Sequence, residues 1–98
     1  MSMTELERIK KILVQLKPSL EERFGVQALG IFGSVVRDDA TADSDVDIIV
    51  HFNKPIGIEF VDLANLLEKK LQKKVDLVSR KGIKEKYFEL IQPEILYV

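Results

Sequence analysis

Apolar positions along this chain change their period several times, and each change predicts an element. Leu6, Ile9, Leu13 and Leu16 recur at intervals of three and four, with Lys10, Lys11 and Gln15 between them. That spacing predicts an amphipathic helix over residues 4 to 16. Thr4-Glu5-Leu6-Glu7 offers it a capping box, in which the Thr4 hydroxyl meets an early backbone N–H and Glu7 reaches back. Pro18-Ser19 interrupts the pattern, so a second short helix is expected from Pro18 to about Phe24, with Gly25 as its stop. Val26 to Phe32 is largely apolar, as in a central strand. Gly33-Ser34 ends that run and leads into a short helix of Val35, Val36 and Arg37, with Ser34 near its start. Residues 38 to 44 are polar and turn-rich, hence a loop.

Asp45 to Phe52 reads as the second strand. Alternation puts Asp45, Asp47, Ile49 and His51 on one face and Val46, Ile48, Val50 and Phe52 on the other. Asn53 to Gly57 is a turn. Phe60, Leu63, Ala64, Leu67 and Leu71 mark a helix of about residues 58 to 72, and Val75 to Val78 a short third strand. Arg80-Lys81-Gly82 is a basic turn. A last helix, Ile83 to Ile91, carries Tyr87 and Phe88 as expected core residues; Pro93 ends it, and Glu94 to Val98 forms an apolar tail suited to an edge strand or to docking on a partner. The order predicts an α/β fold: a small mixed sheet of three to four strands packed with about four helices, covered mainly on one side.

The bulk properties narrow the function. At 98 residues a single domain spanning 1–98 is expected. A chain of this size buries only roughly 60–65% of its unfolded surface, so homo- or hetero-association would add to its stability. The net charge of −1 provides no global basic field, so direct binding of nucleic acid is not expected. Cysteine is absent, which removes disulfides and thiol catalysis. No apolar run approaches the ~18 residues of a membrane span. The start, Met1-Ser2-Met3-Thr4-Glu5-Leu6-Glu7, is polar and acidic, unlike a signal peptide. A cytoplasmic protein is the expectation.

Chemistry concentrates between Gly33 and Val50. Asp45 and Asp47 leave the same face of a strand, about 6–7 Å apart at their Cα atoms. Two carboxylates that close repel unless a cation joins them, and oxygen-only ligands suit a hard ion such as Mg²⁺. Asp76, on the next strand between apolar neighbours, must reach the rim to find a cation or donor. Gly33 lets the backbone approach a ligand closely, Ser34 adds a hydroxyl and N–H groups at a helix start, and Arg37 adds a planar cationic fork. Together they make a triphosphate-plus-Mg²⁺ site. Each part alone has a plainer reading: an Asp-x-Asp is usually a solvated rim, a Gly-Ser a turn, and His51 a structural or surface histidine.

The conjunction is more telling than its parts. Gly33-Ser34, ten intervening residues, then Asp45-Val46-Asp47 resembles the signature of the nucleotidyltransferase superfamily that includes DNA polymerase beta. Gly33-Ser34-Val35-Val36-Arg37 and Ser44-Asp45-Val46-Asp47-Ile48-Ile49-Val50 are similar to the minimal nucleotidyltransferases of prokaryotes. The resemblance implies that Gly33 and Ser34 hold the terminal phosphates, that Asp45 and Asp47 ligate metal, and that Asp76 completes the site and helps activate the incoming hydroxyl. Arg37 and Ser44 would support the phosphates and the loop. In the family a Gly often follows the Arg; here Asp38 stands there, which puts the loop's nucleotide contacts in question.

The reaction so implied is nucleotidyl transfer, in which a hydroxyl attacks the α-phosphorus of a nucleoside triphosphate with two Mg²⁺ ions assisting. Larger members carry a second domain for the acceptor, and residues 1 to 98 leave no room for one. Minimal nucleotidyltransferases commonly pair with a helical HEPN-type ribonuclease toxin. The resemblance therefore implies transfer of AMP from ATP to a tyrosine of such a partner, with this chain as antitoxin. Two alternatives stand beside it: a non-catalytic toxin-binding antitoxin with a vestigial nucleotide site, and transfer to a small molecule such as an aminoglycoside.

Overall fold

The computed structural model describes residues 3–98; Met1 and Ser2, which open the polar N-terminal reading, lie outside the described residues. In chain order the elements are α1 (Glu5–Phe24), β1 (Val26–Phe32), α2 (Ser34–Arg37), β2 (Val46–Phe52), α3 (Glu59–Leu71), β3 (Val75–Ser79), α4 (Glu85–Ile91), a 3₁₀ turn (Gln92–Glu94) and β4 (Leu96–Tyr97). The strands form one sheet in the order β3-β2-β1-β4. β1 runs antiparallel to both β2 and β4, whereas β2 and β3 are parallel, with α3 as the crossover between them. This is the mixed four-stranded α/β arrangement that the periodicity predicts.

The two faces of the sheet are covered unequally. Val46, Ile48 and Val50 of β2 pack with Leu29 and Ile31 of β1 against Ile9, Leu13, Leu20 and Phe24 of α1 and Leu63, Leu67 and Leu71 of α3. On the other face a smaller cluster joins Phe32 and Ile49 to Phe88 and Ile91 of α4. The alternation of β2 is thus obeyed, with the wholly apolar face turned to the larger core. Tyr87 departs from expectation. It is 43% exposed, while Phe88 and Ile91 are the α4 side chains that turn into the core.

A second departure concerns Pro18. Instead of two helices, one helix runs from Glu5 through Phe24 with Pro18 inside it. A proline in a helix interior costs about 3 kcal/mol, by removing the bond to the carbonyl four residues back and by crowding that carbonyl with its ring. Here that carbonyl belongs to Val14, and both residues lie on the exposed side, where water can take the bond. On the opposite side Ile9, Leu13, Leu20 and Phe24 are all buried. Each such side chain contributes roughly 1.5–3 kcal/mol, so the buried stripe outweighs the proline and carries the helix through. Thr4 caps the start, accepting from the Glu7 N–H at 3.1 Å, and Gly25 closes the end at φ 70°.

The apolar tail becomes β4. Gly30↔Tyr97 and Ile31↔Leu96 pair it to β1, the Val98 N–H donates to the Leu29 carbonyl at 2.9 Å, and Lys17 Nζ donates to the Val98 carbonyl at 2.9 Å. Gly30 makes room for this, since a Cβ there would lie 2.6 Å from Cγ2 of Ile95. Among the described residues no helix is long and apolar enough to cross a membrane.

Candidate active site

Three chain segments meet at one end of the sheet. β1 ends at Phe32, and the chain turns through Gly33 at φ 83° into α2. In the β1/β2 register Phe32 lies opposite Asp47, and in the β2/β3 register Asp47 lies beside Asp76. The sheet pairing therefore sets the central aspartate between the glycine turn and the third acid. Its carboxylate lies directly over Gly33, where a Cβ would sit 2.0 Å from Oδ2 of Asp47. Any side chain there would expel the carboxylate, besides straining a left-handed backbone.

Electrostatics single out Asp47 among the acids. Its carboxyl is pushed up to about 6, first by burial and then by the charges of Asp76 and Asp45, against a smaller opposing pull from Arg37. Asp45 precedes the strand and is exposed, and Asp76 is exposed on β3. Among the described residues no three acidic, imidazole or thiol groups are placed together to hold a metal ion. The donors nonetheless fit a hard divalent cation. Mg²⁺ takes one or two protein carboxylates and completes its shell with waters and substrate phosphate. Asp47, partly buried and facing the charges of Asp76 and Asp45, is a carboxylate whose ionisation such an ion would favour.

The cationic and backbone donors lie on the Gly33 side. Ser34 begins α2 and is half-buried, and its carbonyl accepts from the Asp39 N–H at 3.0 Å. Arg37, in the last turn of α2, donates from Nη1 to both oxygens of Glu94, at 3.2 and 3.1 Å, and from Nε to Asp39 at 3.3 Å. These partners, Glu94 foremost, hold the guanidinium above its ordinary pKa. The Gly33 N–H donates to the same Glu94, at 3.1 Å. Ser44 braces the loop between α2 and β2: its hydroxyl accepts from the Thr41 N–H at 2.9 Å, and its own N–H donates to the Thr41 carbonyl at 3.1 Å.

Asp38 adopts φ 62° and ψ 31° at the end of α2. That is the left-handed region, which glycine enters freely and which aspartate tolerates better than most residues. Asp38 thus occupies a backbone conformation that glycine adopts freely.

The structure brings Gly33, Asp47 and Asp76 together most closely, with Asp45, Ser34 and Arg37 around them, and sets Ser44 in the adjoining loop. Two further residues belong to the neighbourhood and are not evident from the sequence. Glu94, 61 residues beyond Gly33, reaches the turn from the 3₁₀ segment. The Tyr87 hydroxyl is held above its usual pKa by partial burial and then by Asp47, Asp76 and Glu94. The only hint of Glu94 was a lone acid in an otherwise apolar tail. His51 stands apart, at the far end of β2, with Nε2 3.0 Å from the Tyr97 hydroxyl. A cavity of about 390 Å³ opens there, lined in part by His51, Phe52, Arg80 and Lys81, away from the aspartates.

The chain is similar to several known proteins. Residues 6–95 match the family described as the nucleotidyltransferase domain. A protein adenylyltransferase, MntA, of Thermococcus cleftensis is 43% identical over 99 residues, covering 100% of both chains. A solved structure described as a candidate minimal nucleotidyltransferase superposes with a TM-score of 0.73 at 30% identity, covering 90% of this chain and 93% of that one. A third similarity, at 21% identity, is one of fold alone. It is to a solved complex of a tri-AMPylated Shewanella oneidensis HEPN toxin with an MNT antitoxin, with a TM-score of 0.67 over 95% of this chain and 70% of that one.

Proposed function

We propose a function from one premise: the chain belongs to the nucleotidyltransferase family. It is a nucleotidyltransferase that moves AMP from ATP to a hydroxyl of a partner protein, a tyrosine of a HEPN-type toxin, and so acts as antitoxin in the cytoplasm. The observation that carries the reading is the seat of Asp47, held over Gly33 by one strand pairing and beside Asp76 by the other. The full-length likeness to a protein adenylyltransferase supports a protein acceptor. The solved toxin–antitoxin complex, an AMPylated toxin with its antitoxin, supports the class of partner.

In this mechanism Gly33, Ser34 and Arg37 receive the phosphates through a backbone N–H, a hydroxyl and a guanidinium, while Ser44 steadies the loop beside them. Asp45, Asp47 and Asp76 would hold the divalent ions, two in number by the family resemblance. Mg²⁺, when bound there, neutralises charge on the phosphates and favours ionisation of the acceptor hydroxyl. The acceptor oxygen forms a bond to the α-phosphorus as the bond to pyrophosphate breaks, and its proton passes to the Asp76 carboxylate. The protein supplies position and charge rather than a covalent nucleophile.

The test is incubation with α-labelled ATP, Mg²⁺ and the protein encoded by the neighbouring gene, followed by gel autoradiography. Label on a tyrosine of that protein, lost in an Asp45→Asn/Asp47→Asn variant, is the expected result. Label on a small molecule and none on the protein would overturn the acceptor. Neutralisation of the partner that survives the double substitution would show that binding without chemistry suffices.

A further inference from the structure

The donors that the proposed function assigns to the nucleotide are already engaged. The Gly33 N–H and Arg37 Nη1 both donate to the carboxylate of Glu94, at 3.1 Å and at 3.2 and 3.1 Å. A carboxylate accepting from a backbone amide and a guanidinium reproduces what a phosphate oxygen would accept there. We propose that Glu94 is an internal phosphate mimic, a specificity-setting residue that occupies the place of a terminal phosphate until a triphosphate displaces it. The inference rests on the phosphate-binding reading of Gly33 and Arg37.

The surroundings favour displacement of the side chain over release of the segment. Glu94 ends the 3₁₀ turn, immediately before Ile95, which packs on the Phe32–Ile49–Phe88–Ile91 cluster. β4 then ties the next residues to β1. The backbone is thus held on both sides, and a rotation of the Glu94 side chain is enough to free the cradle. That side chain is about one-quarter exposed, so it has a path to water. The carboxylate also adds to the acidic surroundings of Tyr87 beside Asp47 and Asp76. Bringing a polyphosphate in beside Glu94 would place two anions on one set of donors, so the two occupy it in turn. Ligands with enough charge to win the exchange are favoured. Adenosine, with no phosphate, does not contend for it.

The test is isothermal titration of the wild type and Glu94→Gln with ATP–Mg²⁺, with inorganic tripolyphosphate, and with adenosine. Glutamine keeps the shape and a hydrogen-bond acceptor while removing the charge. The expected result is tighter binding of ATP and tripolyphosphate by the variant, roughly two- to fivefold, the size of effect that exposed ion pairs carry. Adenosine affinity should not change. If Glu94 instead positions Arg37 for the nucleotide, the variant binds ATP more weakly, and the proposal is overturned. Equal affinities overturn it as well, leaving the phosphate-binding reading intact. Should neither protein bind ATP or tripolyphosphate, the site reading itself fails and the mimic with it. Circular dichroism of the variant confirms that it is folded.

Discussion

Asp47 is held in a protonation state that the unfolded chain would not keep. Its folded pKa of about 6 stands above the ordinary 3.8, so between those values the native protein retains a proton that the unfolded chain has lost. Stability of the metal-free protein therefore falls as pH rises through that window and stays lower above it. Asp47→Asn should stabilise the metal-free protein near pH 7 by about 1–2 kcal/mol, after allowance for solvent screening of a partly exposed group. The gain should shrink as pH falls toward the ordinary carboxylate range. Urea denaturation in the presence of a chelator, at neutral and mildly acidic pH, measures it. A variant destabilised equally at both values would mean that the carboxylate is not under strain. Asp38 makes a related point at one residue. Its left-handed backbone is one that glycine would enter without strain, while the acid adds a charge beside Arg37.

At the scale of elements, α1 shows packing deciding against local preference. Pro18→Ala should restore a backbone bond on the exposed side without touching the buried stripe of Ile9, Leu13, Leu20 and Phe24. A stabilisation of about 1–3 kcal/mol is expected by chemical denaturation, offset in part by the greater freedom alanine gives the unfolded chain. A loss of stability would mean that the proline shapes the helix to fit the sheet. The strands, α3 and the Gly33-to-Asp47 motif were legible because their signals are local: period-two alternation, period-3.6 apolar spacing, and residues close in sequence. The continuity of α1 was not, since it depends on what its far half packs against. Nor was the exposure of Tyr87, which depends on which side of α4 meets the sheet. Glu94 could not be placed beside Arg37 from sequence, because 57 residues and a strand pairing separate them.

For the molecule as a whole, the C-terminal strand links the site to the fold. β4 extends the sheet beyond β1, and Lys17 ties the same segment to α1. Deleting Leu96–Val98 removes those pairings and the Val98 bond to Leu29. The expected cost is about 2–4 kcal/mol from the lost hydrogen bonds and apolar contacts, read as a lower melting temperature. Size-exclusion chromatography should also show self-association through the uncovered β1 edge, and a truncated protein that melts like the full chain would show β4 to be ornamental. The small net charge of −1 and the absence of cysteine narrowed the function only broadly; the residues proposed to specify it are the few that the sheet gathers at one end.

The opposite margin of the sheet is open, for β3 has β2 on one side and no described strand on the other. Short, five-residue margins interrupted by a charge resist recruiting a stranger's backbone, and here that charge is Asp76. The acid proposed to serve the chemistry thus stands guard as well against fibril-like growth. Substitution at that one position would forfeit two protections of quite different kinds, one of reactivity and one of solubility.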